Sequence, residues 1–91
     1  MREYTIEKKL RKKLAKIFRR DGRKYEALMG KIEELLTCED PNRYKNLRKP
    51  LQHLKAVHID SHFVLTFRYS EEEDLIELYD LDHHDKIYKT R

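Results

Sequence analysis

The chain has 91 residues and a mass of 11.2 kDa; 38% of its residues are hydrophobic and 42% are charged. A chain of this length cannot divide its apolar residues between two cores, so we predict one domain over residues 1–91 and exclude a multidomain architecture. No apolar run reaches the roughly 20 residues that span a bilayer, and none follows Met1 that could serve as a signal peptide, so we expect a cytoplasmic protein with no membrane partner.

The net charge of +4 is distributed unevenly along the chain. Residues 1–24 contain eleven Lys or Arg against three Asp or Glu, about +8, whereas residues 25–91 contain ten against fourteen, about −4. Concentrated positive charge attracts polyanions and acidic proteins. The alternative is a solvated, lysine-rich helix face that binds nothing, and composition alone leaves both interpretations open.

Two amphipathic helices are predicted in the first 37 residues. Between residues 6 and 18 the apolar residues recur at the three-and-four spacing of a helix, which predicts a helix over 8–20 with basic residues on its other faces. Asp21-Gly22 interrupts the pattern as a turn, and the spacing resumes from Tyr25 to Leu36, which predicts a second helix over 23–37. So short a connection makes the two helices antiparallel neighbours.

The second half of the chain is predicted to form strands. A basic segment, 43–50, has no periodicity and is bounded by Pro41 and Pro50. From Leu54 the pattern changes to a period of two with many β-branched and aromatic residues. We predict strands around 57–59, 63–69 and 75–81, turns at 60–61 and 70–74, and a short edge strand at 4–6.

These elements predict an α+β fold, in which an N-terminal antiparallel helical hairpin packs on one face of a small, mainly antiparallel β-sheet. The other face of the sheet would then be open. Open sheet faces and the loops at their ends are where a small domain has room for a site, so the polar residues there are the candidates for function.

All five histidines fall in the strand-forming half of the chain: His53, His58, His62, His83 and His84. No metal site is expected, because residues four apart share a face only on a helix and His58 and His62 straddle a predicted turn. A Ser/His/Asp triad is disfavoured because Ser61 and Ser70 both lie in turns. Acid–base chemistry on a phosphodiester remains, and it requires groups that move protons near pH 7 together with cations.

Each candidate also has a structural interpretation that the residues alone leave open. His58 could be a solvated strand position, Arg68 could pair across the strands with Glu77, and Tyr88 could pack on the sheet edge. The basic loop could be exposed with nothing bound to it: Lys45, Arg48 and Lys49.

Three segments, in this order, resemble the RelE/YafQ/YoeB-type toxins of type II toxin–antitoxin systems, which belong to the RelE/ParE superfamily. They are a basic loop leading to a strand that ends in His-Ile (44–59), an aliphatic and aromatic strand (63–67), and His-His-Asp-Lys-Ile-Tyr (83–88). The resemblance implies the fold predicted above and an mRNA interferase. Such an enzyme is a ribosome-dependent endoribonuclease that activates the ribose 2′-hydroxyl to attack the adjacent phosphate, uses no cofactor, and is silenced by a cognate antitoxin.

The resemblance also assigns site residues. His58 matches the strand histidine of the YafQ-like branch, His84 matches its C-terminal histidine, and Tyr88 matches an aromatic residue that stacks on a base or assists proton transfer. Two positions depart from the family pattern, since Val64 stands where many relatives have arginine and His62 stands where the YafQ-like branch has aspartate. The expected catalytic set is therefore rich in histidine, and which imidazole acts as base and which as acid is left open. The set consists of His58, His84, Tyr88, Arg68 and His62.

The basic residues would hold mRNA and ribosomal RNA through phosphate contacts that are sensitive to salt and blind to sequence. They are Lys9, Lys12, Lys13 and Lys16 in the first helix and Lys45, Arg48 and Lys49 in the loop. Two other functions remain open at this stage: a ParE-like toxin that binds a protein target such as DNA gyrase without hydrolysis, and an inactive relative kept for binding. The presence of His58, His84 and Tyr88 together disfavours the first of these, because a binding module does not require such a set.

Overall fold

The computed structural model describes residues 1–89. The elements follow in the order β1 (Glu3–Ile6), α1 (Lys8–Arg20), α2 (Gly22–Thr37), a 3₁₀ turn (Pro41–Arg43), β2 (Lys55–His58), β3 (Phe63–Ser70), β4 (Leu75–His83) and α3 (His84–Lys89). The predicted α+β class is confirmed, and α1 has the bounds that the apolar spacing predicted. Among the described residues, no helix combines the length and apolar character that crossing a membrane would require.

A single residue, Asp21, connects α1 to α2. Its backbone N–H donates to the Ile17 carbonyl at 2.8 Å, and its carboxylate accepts a hydrogen bond from the Lys24 backbone N–H at 3.1 Å. The first bond satisfies a carbonyl at the end of α1 and the second satisfies an N–H at the start of α2, which are groups without partners inside their own helices. Phe18 and Tyr25 pack edge to face across the connection, with ring centroids 5.0 Å apart. The two helices are therefore held as an antiparallel hairpin.

The four strands are arranged in the order β1-β4-β3-β2. Strands β2, β3 and β4 are antiparallel in sequence order, as predicted. Strand β1 pairs with β4 in parallel, with Glu3 opposite Leu75 and Ile6 opposite Leu78. The sheet is therefore mixed, and its first strand lies beside its last.

The hydrophobic core fills the space between the helical hairpin and one face of the sheet. Each fully buried Leu, Val, Ile or Phe side chain contributes about 1.5–3 kcal/mol, so these contacts hold the two layers together. The core residues are Leu10, Leu14, Leu28, Ile32, Leu35 and Leu36 from the helices, and Val57, Leu65, Phe67, Ile76, Leu78 and Leu81 from the sheet.

The second face of the sheet is partly covered, which corrects the expectation that it would be open. Leu47, Leu54 and Val64 are only 6%, 2% and 0% exposed, yet they lie outside the main core. The irregular segment is bound to its neighbours by backbone hydrogen bonds from Leu47 N–H to Leu54 O and from Ala56 N–H to Lys45 O. The segment and α3 border two clefts on this face.

Candidate active site

Three side chains that the sequence singled out lie together at one end of the sheet. The ring centroid of His84 is 5.6 Å from that of His58 and 4.6 Å from that of Tyr88. The rings of His58 and Tyr88 are nearly parallel, at 9°, with centroids 6.1 Å apart. We call His58, His84 and Tyr88 the ring cluster.

The position of the ring cluster follows from strand register and helix periodicity. His58 is the last residue of β2 and lies opposite Val64, which in turn lies opposite Asp82 of β4. His84 begins α3 immediately after β4 ends, and Tyr88 is four residues further on, so their side chains share one face of α3.

The hairpin between β2 and β3 holds the start of α3. The His84 backbone N–H donates to the His62 carbonyl at 2.6 Å. The Asp60 carboxylate accepts hydrogen bonds from the backbone N–H groups of His62 and Phe63, at 2.8 and 2.9 Å. These two bonds lower the pKa of Asp60 because they favour its charged form. Asp60 therefore shapes the turn that anchors His84.

A basic groove of about 580 Å³ opens beside the ring cluster. His58 and Tyr88 line it together with three cations from the irregular segment: Arg43, Lys45 and Arg48. Of the loop residues predicted to bind RNA, Lys45 and Arg48 thus face the groove, while Lys49 is exposed outside its lining. Cations beside imidazoles suit a polyanionic substrate with a reactive phosphate.

A buried lysine supports the wall of the groove. Lys55 is 9% exposed, and its Nζ donates to the Tyr44 carbonyl at 3.2 Å and to Asn46 Oδ1 at 3.0 Å. The backbone of Asn46 also bridges to Lys55. The segment that carries Lys45 is therefore a fixed part of the structure.

The structure does not bring Arg68 to the ring cluster. Its Nε lies 3.1 Å from Glu77 Oε1, which is the cross-strand pair that the structural interpretation of Arg68 anticipated. Arg68 is four residues along β3 from Val64, the partner of His58, which corresponds to about 13 Å at 3.3 Å per residue.

The remaining predicted histidine, His62, also lies apart from the ring cluster. Its ring is 5.9 Å from that of His83, and its Nδ1 is 3.1 Å from the hydroxyl of Ser61. The ring of His83 also packs on Phe63, at 5.7 Å. The adjacent residues His83 and His84 thus contact different partners. Within residues 1–89, no group of three or more His, Cys, Asp or Glu side chains is arranged to hold a metal ion.

The four lysines of α1 that were predicted to bind RNA fall into two groups. Lys13 lies 2.9 Å from Asp80 and 3.7 Å from Asp82, and Lys9 lies 3.7 Å from Asp80. Lys12 and Lys16 are exposed and have no ion pair in the described part of the chain. Spacing alone could not separate these groups, because the acidic partners come from β4.

Sequence reasoning did not name all the residues that line the groove. Arg43 and Tyr44 both line it, and Arg43 Nη2 donates to Tyr44 Oη at 3.1 Å. The signal was present, because both residues belong to the basic segment predicted to bind RNA. The third helix was also missed, since its six residues are too few to show a clear period.

No protein-family model matches the chain. Two relatives align over nearly its whole length. A protein of Methanocaldococcus jannaschii named "Putative toxin RelE4" is 44% identical over 91 residues, covering 100% of this chain and 95% of the relative. An uncharacterized protein of Methanosarcina mazei is 47% identical over 83 residues, covering 91% of this chain and 94% of the relative.

The fold is also found among solved structures. A chain of the toxin–antitoxin complex RelBE2 from Mycobacterium tuberculosis superposes with a TM-score of 0.68 and 20% identity, covering 91% of this chain and 98% of the other. The isolated E. coli RelE toxin superposes with a TM-score of 0.69 and 14% identity, covering 91% of this chain and 84% of the other, so the α+β architecture is one found in such toxins. With 44% identity to the methanogen RelE relative along its full length, the chain belongs to the RelE family of toxins.

Proposed function

We propose that this toxin is a ribosome-dependent endoribonuclease that cleaves mRNA. The observation that carries the proposal is the ring cluster beside the basic groove. The centroids of its two imidazole rings and its phenol ring are 4.6–6.1 Å apart. Family membership supports the same activity.

The chemistry requires a base, an acid and positive charge. One imidazole of the pair His58 and His84 removes the proton from a ribose 2′-hydroxyl, and the hydroxyl oxygen attacks the adjacent phosphorus. The other imidazole protonates the 5′-oxygen as its bond to phosphorus breaks. The products are a 2′,3′-cyclic phosphate and a 5′-hydroxyl end. Histidine suits both steps because its ordinary pKa lies close to neutral pH.

The remaining groups hold the substrate. Arg43, Lys45 and Arg48 would bind the phosphates and stabilise the charge that builds up during attack. Tyr88 would stack on a base next to the cleavage point. The exposed cations of α1, among them Lys12 and Lys16, would contact ribosomal RNA. Because translating ribosomes are the site of action, the proposal places the toxin in the cytoplasm.

We also propose a cognate antitoxin as the protein partner. The related M. tuberculosis structure is a toxin–antitoxin complex, which supports a similar assembly here. An antitoxin with acidic residues would complement the basic groove and α1. Co-expression with the product of a neighbouring reading frame should raise both yield and melting temperature, and the two proteins should co-purify at physiological salt. Failure to co-purify would contradict this part of the proposal.

The decisive experiment is cleavage of a defined mRNA in a reconstituted translation system, with the new 5′ ends mapped. We expect cleavage by the parent chain and a loss of about 10²–10⁴-fold with His58→Gln or His84→Gln. His53→Gln is the matched control, because His53 is exposed in the loop and does not line the groove. If the parent chain leaves the mRNA intact but arrests DNA gyrase, the nuclease proposal is wrong and a ParE-like function replaces it.

Variants of Arg68 and His62 test the wider catalytic set. Because neither side chain contacts the ring cluster, Arg68→Gln and His62→Gln should reduce cleavage less than His84→Gln does. A decrease with either one equal to that of His84→Gln would show that substrate binding brings its side chain to the phosphate.

A further inference from the structure

Resting on the function proposed above, we infer that Lys13 is a positioning residue for His84. Its ammonium group binds the end of β4 and thereby fixes the start of α3. This role differs from direct RNA binding, which is what its place in the basic helix suggests.

The first observation is that β4, which pairs with β3 along its length, loses its neighbour on the other side halfway along. Strand β1 pairs with β4 only as far as Ile6 opposite Leu78, and the Glu7 N–H then donates to the Leu78 carbonyl at 2.9 Å. Beyond Leu78, helix α1 takes the place that a continued β1 would occupy beside β4. The Lys13 Nζ donates to the Leu81 carbonyl at 2.8 Å, a group that a neighbouring strand would otherwise satisfy.

The second observation is that the same ammonium group sits between two carboxylates. It donates to Asp80 Oδ1 at 2.9 Å and lies 3.7 Å from Asp82 Oδ2. The Asp80 and Asp82 side chains are only 15% and 27% exposed, so their charges are incompletely screened. Lys9 lies 3.7 Å from Asp80, but Lys13 is placed between both carboxylates, so its removal increases the repulsion between these two like charges at the end of β4.

The third observation is the short distance along the chain from these contacts to the ring cluster. Asp82 is followed by His83, the last residue of β4, and His84 is the first residue of α3. On the other side, the His84 N–H is bound to the hairpin carbonyl of His62. The start of α3 is thus held between the hairpin and Lys13. A misplacement of about 1 Å at a reacting group can cost on the order of 10²-fold in rate.

The test separates positioning from RNA binding by comparing two lysines on the same helix. Lys13→Gln and Lys12→Gln remove the same charge, but only Lys13 contacts β4. In the RNA-free protein, imidazole and phenol NMR signals of His84 and Tyr88 should shift in Lys13→Gln and stay in place in Lys12→Gln. In cleavage assays, Lys13→Gln should lower kcat by about 10–100-fold, whereas Lys12→Gln should mainly raise KM.

Two further variants keep the test decisive. Lys13→Arg preserves the charge and the donors, so it should recover most of the kcat that Lys13→Gln removes. Asp80→Ala removes a negative charge from the cleft next to the basic groove, which shares Leu47 with it, so an electrostatic effect on RNA predicts faster cleavage. A positioning role predicts slower cleavage and the same ring shifts as in Lys13→Gln. Faster cleavage by Asp80→Ala, or unshifted His84 signals in both Lys13→Gln and Asp80→Ala, would overturn the inference. The NMR result does not require nuclease activity, so it separates failure of this inference from failure of the proposed function.

Discussion

The imidazole of His84 and the phenol ring of Tyr88 lie 4.6 Å apart, one helical turn from each other on the same face of α3. The ring of His58 reaches this pair from β2, across the sheet. The candidate site is thus built from the end of a strand and from a short helix that begins where another strand stops. Its geometry depends on the register of the strands and on the anchoring of α3.

The two adjacent histidines should differ sharply in their effect on cleavage. His84→Gln should lower the rate by about 10²–10⁴-fold, because it removes a proton-transfer group from the ring cluster. His83→Gln should have a smaller effect, because the His83 ring packs against Phe63 and His62. Growth inhibition and mRNA cleavage in cells measure the difference, and antitoxin binding checks that both variants fold. Equal decreases with the two variants would contradict the assignment of His84.

Tyr88 should act through its ring. The Tyr88→Ala variant should weaken RNA binding by about 1–3 kcal/mol, the usual contribution of an aromatic residue stacked on a base. The Tyr88→Phe variant keeps the ring and should retain most of the activity. Binding and cleavage of the same oligonucleotide by the two variants provide the measurement. If Tyr88→Phe is as inactive as Tyr88→Ala, the hydroxyl takes part in proton transfer instead.

The exposed cations of α1 should contribute to ribosome binding without affecting the fold. A variant with Lys12→Glu and Lys16→Glu should bind ribosomes more weakly, and its plot of log affinity against log salt should be flatter by about 0.7–0.9 for each phosphate that the variant no longer neutralises. Lys31→Glu on α2 is the control for either single substitution, Lys12→Glu or Lys16→Glu, because it changes the net charge by the same amount. An affinity of the parent chain that does not depend on salt would contradict the electrostatic account. Lys13 is left out because its charge is paired with carboxylates of β4.

Asp74 should contribute to stability in a way that depends on pH. Its carboxylate accepts hydrogen bonds from the Tyr69 hydroxyl and from Arg2 Nε, both at 2.8 Å, and these bonds lower the pKa of Asp74. A carboxyl group whose pKa is lower in the folded state stabilises the fold above its ordinary pKa, about 3.9, and this contribution is lost as the pH falls through the folded-state value. Asp74→Asn should therefore be less stable than the parent at neutral pH, and the two proteins should converge in acid.

Urea unfolding across this pH range measures the effect. Asparagine is the suitable replacement because Asp74 has a φ of 50°, a left-handed conformation that asparagine tolerates. Glu72→Gln in the same turn is the control, since Glu72 is exposed. The destabilisation at neutral pH should be smaller than that of a core truncation such as Leu65→Ala, about 2–5 kcal/mol. A difference that persists unchanged into acid would mean that the charge of Asp74 is not the cause.

Periodicity predicted the elements, but it could not predict their partners. The apolar spacing indicated the bounds of α1, and the short turn after Phe18 indicated the hairpin. Residues 4–6 are predictable as a strand, yet nothing local indicates that it would pair in parallel with β4. The covering of the second sheet face was missed for a related reason, because Leu47 and Leu54 are buried by tertiary contacts in a segment without a period.

In the candidate site too, some residues could be predicted from the sequence, whereas some of their contacts could not. The family resemblance named His58, His84 and Tyr88, which the structure brings together. The pairing of Arg68 with Glu77 was one of two interpretations that the sequence left open, and the register of β4 decides between them. The contact of Lys13 with Asp80 could not be predicted, because it depends on where α1 packs against β4.

The parallel pairing of β1 with β4 also determines when the molecule can be completed during its own synthesis. Ribosomes release the N-terminus first, so β1 and the helical hairpin emerge while the residues from Leu75 to Leu78 that pair with β1 do not yet exist. Lys13 likewise has no carboxylate of β4 to bind at that stage, and His84 and Tyr88 are added after β4. The β1–β4 pairing and the ring cluster therefore cannot form until β4 and α3 have been added, and a chain that stops before β4 has neither.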